Sequence, residues 1–159
     1  MEKIAIFVDV QNIYYTVRDS FQGHFDYNSF WAKVVKPNCK VIAAYAYAID
    51  RNDEKQLQFQ NILRGIGFVV KLKQYISRKD GSTKGDWDVG ITMDMLEISL
   101  DVDRLILLSG DGDFDLLVNK LISQGKRVDV YGVPQLTANS LIKSASTFYA
   151  IDQTFLMKK

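Results

Sequence analysis

The chain has 159 residues, 47% hydrophobic and 25% charged, which suits a domain with a buried core and excludes disorder and low complexity. A single cysteine, Cys39, excludes an internal disulfide and a multi-thiolate zinc site, and a single histidine, His24, excludes a histidine metal cluster and most imidazole catalysis. The formal net charge of +1 gives no global pull toward nucleic acid or membrane, and no apolar run has the length of a signal sequence or a membrane span, so a cytoplasmic protein with no membrane partner is expected.

No repeat, Pro-rich linker or shift in composition divides the sequence, so residues 1–159 read as one domain. A β-branched apolar run over 3–10 predicts a buried strand, followed by helical patterns over 12–21 and 27–35. Small alanines alternating with tyrosines over 41–49 predict a second buried strand. A helix over 53–64 is capped by Asn52 or Asp53 and ended by Gly65 and Gly67. Residues 68–76 alternate, with Lys71, Lys73 and Tyr75 on one face and Val70, Leu72 and Ile76 on the other, which predicts a half-exposed strand before the turn at Asp80-Gly81. Helices over 88–100, 114–124 and 138–144 then alternate with strands over 104–108, 127–133 and a short 148–151. Strand and helix alternate almost throughout, which predicts an α/β fold with a mostly parallel central sheet and helices on both faces. Ligands of such folds lie beyond the carboxyl ends of the strands.

Several acids fall at that edge. Asp9 ends the first strand, Asp111 and Asp113 follow the 104–108 strand in Ser109-Gly110-Asp111-Gly112-Asp113, and Asp88 opens the helix that leads into it. Four carboxylates gathered there repel one another unless some stay protonated or a cation sits among them. Mg²⁺ or Mn²⁺ is the economical solution, since both accept all-oxygen ligation and need neither histidine nor thiolate. Asp111 and Asp113 also read as caps of the following helix, and Asn12 reads equally as a cap or as a donor to a phosphate or a metal-bound water. Asp94 lies six residues after Asp88, about 240° round an ideal helix, so the two cannot face one ion and Asp94 is expected to be structural.

Between positions 71 and 84 the sequence carries Lys71, Lys73, Arg78, Lys79 and Lys84 against one acid, Asp80, with Tyr75 among them. This pattern reads as a phosphate-tracking strip with a stacking aromatic for single-stranded nucleic acid, or as an edge strand guarded by lysines. Tyr14, Tyr15, Tyr45 and Tyr47 read as core and groove wall rather than as a base-reading platform, with room for two of them to line the crevice next to Asp9.

The motifs Phe7-Val8-Asp9-Val10-Gln11-Asn12, Lys84-Gly85-Asp86-Trp87-Asp88-Val89 with Asp94, Ser109-Gly110-Asp111-Gly112-Asp113-Phe114 and Gly125-Lys126-Arg127-Val128 together resemble the NYN domain, LabA-like branch, of the PIN-like nuclease superfamily. The resemblance spans nearly the whole chain in order. It implies a Rossmann-like (PIN-like) three-layer sandwich whose clustered acids bind Mg²⁺ or Mn²⁺ and cut RNA, expected here to be single-stranded. It makes Asp9, Asp88, Asp111 and Asp113 the catalytic and metal-site acids, with Asn12 and Ser109 beside them and Lys84 near the phosphate. Ser146 stands where the family often has a further acid, and Leu116 where a proline is common.

The chemistry expected is metal-assisted phosphodiester hydrolysis, which requires no histidine base. The competing reading is a regulatory module that holds RNA or a nucleotide at the same acidic site without turnover. Other phosphate enzymes fit less well. The first strand-to-helix turn has no glycine for a dinucleotide fingerprint, and no G-x-x-x-x-G-K-[ST] motif occurs. A homodimer or a protein partner is compatible with the sequence, but no patch marks one.

Overall fold

A computed structural model describes residues 1–74 and 86–158, together with the backbone of Ile76–Ser77 and Thr83–Lys84. Strand β1 (Glu2–Asp9) runs directly into α1 (Val10–Ser20), followed by α2 (Tyr27–Val34), β2 (Cys39–Asp50), α3 (Glu54–Ile66) and β3 (Val69–Gln74). A two-residue antiparallel pair, β4 (Ile76–Ser77) with β5 (Thr83–Lys84), precedes α4 (Asp88–Ile98). The remainder is β6 (Arg104–Leu108), α5 (Asp115–Ser123), β7 (Arg127–Gly132), α6 (Asn139–Ser144) and β8 (Thr147–Ala150).

Six strands form one all-parallel sheet in the order β3-β2-β1-β6-β7-β8. The chain winds outward from β1 to β3, then crosses back and winds outward from β6 to β8. The strand order therefore reverses between β1 and β6, and a crevice forms beyond the carboxyl ends of those two strands. This is the three-layer α/β sandwich expected from the alternating pattern.

Helices cover both faces, so β1 must be apolar on each side, and Ile4 through Val8 are fully buried. Ile4, Ile6 and Val8 pack into one layer with Ile13 and Val17 of α1, Phe30 of α2 and Leu63 of α3. Ala5 and Phe7 pack into the opposite layer with Ile91 and Met95 of α4, Val118 and Leu121 of α5 and Leu141 of α6. The Asp26 carboxylate accepts the Ser29 N–H to start α2, and Asp53 accepts the Gln56 N–H to start α3. Gly67 closes α3 at φ 138°, and a Cβ there would lie 2.8 Å from the Trp31 ring. Among the described residues, no helix is long and apolar enough to cross a membrane.

Most expected boundaries shift by one or two residues, and α3 runs on through Gly65 to Ile66, so that Gly67 alone ends it. The first strand stops at Asp9, and Val10 is already helical. The expected 88–100 helix tightens into a 3-10 turn at Ser99–Asp101. Leu72, expected on an apolar face, lies on the open side of edge strand β3 and is exposed.

At the amino ends of the strands, away from the crevice, Asp129 is fully buried on β7. Arg104 Nη1 lies 3.2 Å and Arg127 Nε 3.0 Å from its carboxylate oxygens, and Arg104 also reaches Glu2. Arg104→Met is expected to cost about 3–5 kcal/mol in urea unfolding, because it leaves a buried carboxylate with only the half-exposed Arg127 as partner.

Candidate metal centre

The parallel register of β1 with β6 sets Val8 opposite Leu108, so the next residues, Asp9 and Ser109, meet at the sheet edge. The Ser109 hydroxyl donates to Asp9 Oδ2 at 3.0 Å and accepts the Asp111 N–H at 3.1 Å, tying the two acids through one buried side chain. Asn12 adds a second tie, its Oδ1 accepting the Gly110 N–H at 2.8 Å. Because α1 starts at Val10, Asn12 lies inside the first turn and is not its cap, and its side-chain oxygen ties that turn to the Gly110 loop.

The third acid arrives on α4. Helices of a parallel sheet return antiparallel to the strands, so α4 begins at the same edge where β1 and β6 end. Trp87 anchors that start, its Nε1–H donating to Ala48 O at 2.9 Å and its ring 5.3 Å from the Tyr47 ring. Gly90 admits the Trp87 ring, since a Cβ would lie 2.6 Å from it. Carboxylate oxygens of Asp9, Asp88 and Asp111 consequently all lie within 4.8 Å of one another.

This proximity has an electrostatic cost. Burial pushes the Asp9 carboxyl up to about 6, against hydrogen bonds from Ser109 and the Asn12 backbone that favour its ionised form. Burial and then the negative charge of Asp111 push Asp88 up to about 7. Asp86 is exposed and accepts the Asp88 N–H at 3.1 Å, yet its charge raises both Asp9 and Asp88. Such a site is poised to take up positive charge, as a proton or as a cation.

Asp113 is exposed and lies outside the close group of three. Its N–H donates to Asp111 Oδ1 at 2.9 Å, so Asp111 caps the turn Gly112–Phe114 while belonging to the acid cluster. Asp94 faces away, as its helical phase requires, accepting from the Tyr47 hydroxyl and from Lys71 Nζ, each at 2.7 Å. Lys71, expected on a phosphate strip, is thus paired with Asp94 and lies 4.1 Å from the centre of the Tyr45 ring. Lys73 is exposed, its Nζ 4.5 Å from the centre of the Trp87 ring and donating to Asp86 O, two residues before Asp88 of the cluster. The Tyr75 and Lys84 side chains, with Arg78 and Lys79, lie outside the described residues. Ser146 binds the Val128 backbone at the amino end of β7, far from the acids.

The expected grouping of four tyrosines divides. Tyr47 is buried and Tyr45 partly buried at the acid layer, but Tyr14 and Tyr15 are exposed on α1. They line a cavity of about 640 Å³ beside the Asp9 turn, as groove wall and not as core. Its one local signal is the buried stripe Val10, Ile13 and Val17, which leaves both tyrosines facing outward.

The NYN domain matches residues 3–152 of the chain. The chain is 25% identical over 148 residues to the low amplitude and bright protein LabA of Synechococcus elongatus, covering 87% of this chain and 78% of that protein. A crystal structure of a protein of unknown function from Vibrio parahaemolyticus superposes with a TM-score of 0.93 at 58% identity, covering 98% of this chain and 96% of the other.

Proposed function

We propose that this chain, which belongs to the NYN domain family in its LabA-like branch, is a metal-dependent ribonuclease that hydrolyses phosphodiester bonds of single-stranded RNA. The family lies within the PIN-like nuclease superfamily, and the observation that carries the reading is the convergence of Asp9, Asp88 and Asp111 from three elements on one point.

The donor set fits a hard divalent cation. It offers only carboxylate oxygens within 4.8 Å of one another, two of them held well above the usual carboxylate range by burial and mutual repulsion. Mg²⁺ or Mn²⁺ bound there supplies Lewis acidity to the phosphoryl oxygens and lowers the pKa of a coordinated water. Asp9, Asp88 and Asp111 would hold the ion, with Asp113 available from the same loop. Ser109 orients Asp9 and the backbone of Asp111 together, and Asn12 holds the following loop in place. Lys73 places a cation beside Trp87 at the rim of the cluster, where an incoming phosphate needs one, and Lys84 and Tyr75 extend that strip in the sequence. No side chain of the cluster is a histidine, which matches hydrolysis without an imidazole base.

End-labelled single-stranded RNA incubated with the wild-type protein is expected to be cut in Mn²⁺ or Mg²⁺ and left intact in EDTA. RNA retained by the protein but intact in every metal would replace this reading with the non-catalytic binding module.

A further inference from the structure

Helix α4 is apolar on two sides. Ile91 and Met95 are fully buried against the sheet, as a covering helix requires. On the side away from them Val89 is 70%, Met93 65% and Leu100 80% exposed, with Leu96 half-buried in the same row. At 100° per residue these four positions fall within about 60° of one another, so they form one narrow stripe. Leu100 lies on the 3-10 turn that extends α4 and is the most exposed of the four. The stripe begins one residue after Asp88, on the element that brings the third acid to the cluster.

A helix that covers a sheet needs one apolar face, and single exposed apolar residues are ordinary, but a row of four on the outer face is neither. Its spacing of four, three and four positions is that of the a and d seam along which one helix receives the side chains of another. The seam spans about three turns, the length of a short helix-to-helix contact. Charge then narrows the occupant. Positions 85–103 hold six acids and no lysine or arginine. Glu97 and Asp101 are exposed on one flank of the stripe, and neither is ion-paired among the described residues. Asp94, on the same flank, is already paired with Lys71 inside the domain.

We infer that the outer face of α4 is a docking surface for a basic amphipathic helix of a partner protein, whose apolar side chains interlock with Val89, Met93, Leu96 and Leu100 and whose lysines or arginines meet Glu97 and Asp101. The inference is independent of the ribonuclease reading. A second copy fits less well, because α4 laid antiparallel on its own copy sets the Glu97 and Asp101 end against the Asp86 and Asp88 end, acid facing acid with no cation from the segment to offset them. RNA and an anionic membrane surface are repelled by the same acids. A basic helix satisfies both the seam and its flank. Three turns of contact match the small interfaces of transient complexes, below roughly 1,200 Å².

The probes are a synthetic helical peptide of heptads with leucine at a and d and lysine at e and g, and its twin with glutamate at e and g. Each is titrated by calorimetry into the wild type, Met93→Ser/Leu100→Ser and Glu97→Gln/Asp101→Asn. All four substituted side chains are exposed, so both variants are expected to keep the fold, checked by circular dichroism. The wild type is expected to bind the lysine peptide and not its glutamate twin. Met93→Ser/Leu100→Ser, which keeps every acid, is expected to bind about tenfold or more weaker, and Glu97→Gln/Asp101→Asn several-fold weaker with a smaller dependence on salt. Equal binding by the serine variant reduces the contact to unspecific charge attraction and overturns the inference, as does equal binding of the two peptides or no binding by the wild type. Light scattering covers the remaining occupant. A wild-type dimer that Met93→Ser/Leu100→Ser converts to a monomer assigns the stripe to a second copy and overturns the heterologous partner, whereas a monomer in both proteins agrees with it.

Discussion

Asp111→Asn is expected to lower metal-dependent RNA cleavage by about a thousandfold, corresponding to roughly 4 kcal/mol of lost transition-state stabilisation. The substitution removes the charge without removing the turn. An asparagine oxygen can still accept the Asp113 N–H that Asp111 Oδ1 accepts now, and the bond from the Asp111 N–H to Ser109 is a backbone contact. Loss of activity with unchanged circular dichroism therefore isolates the carboxylate. Cleavage within a few-fold of wild type would remove Asp111 from the catalytic group.

The second large effect is on stability. The folded-state pKa values of Asp9 and Asp88, about 6 and about 7, lie above the 3.8 of a free aspartate. Between about pH 4 and about pH 7 the folded protein keeps protons that the unfolded chain has released, so its stability without metal falls as pH rises through that window. The contribution is on the order of 1–3 kcal/mol once the partial exposure of Asp88 is allowed for, equivalent to roughly 2–4 °C of melting temperature per kcal/mol. Mn²⁺ or Mg²⁺ is expected to raise the melting temperature by several degrees above about pH 7, and by little near pH 5, where protons already occupy the acids. Asp111→Asn is expected to melt higher than wild type in EDTA at neutral pH and to lose most of the metal response. Thermal melts of both proteins at the two pH values read all of these effects. A metal-free stability that rises from pH 5 to pH 7.5 in wild type, relative to Asp111→Asn, would contradict the crowding of charge.

The sequence was most informative where local pattern and tertiary role coincide. The β-branched run ending at Asp9 and the strand before Ser109-Gly110-Asp111 both lie where the alternation of strands and helices required, and the rule for parallel sheets carried their acids to one edge. The helical phase of Asp94 separated it from Asp88 before any partner was known, and it meets Tyr47 and Lys71 instead.

What stayed hidden was long-range or lay at junctions without loops. Val10 reads as strand because it is β-branched and follows an apolar run, yet it starts α1 while remaining in the same core layer. The partner of Asn12 is Gly110, 98 positions away, so no local spacing could distinguish a cap from a bridge between loops. Lys71 looked like a free phosphate contact because its neighbours in sequence are cations, whereas its neighbour in space is Asp94. Tyr14 and Tyr15 read as core or groove wall, a choice that sequence spacing alone left open. The stripe Val10, Ile13 and Val17 had already filled the buried face of α1.

The central claim is that the three carboxylates hold a divalent cation, and anomalous diffraction from crystals grown with Mn²⁺ above neutral pH tests it most directly. The expected result is an anomalous peak bounded by the carboxylates of Asp9, Asp88 and Asp111, absent from Asp111→Asn crystals grown the same way. No peak at that point in wild-type crystals, with the acids ordered and manganese in excess, would contradict the metal centre and the hydrolytic mechanism built on it.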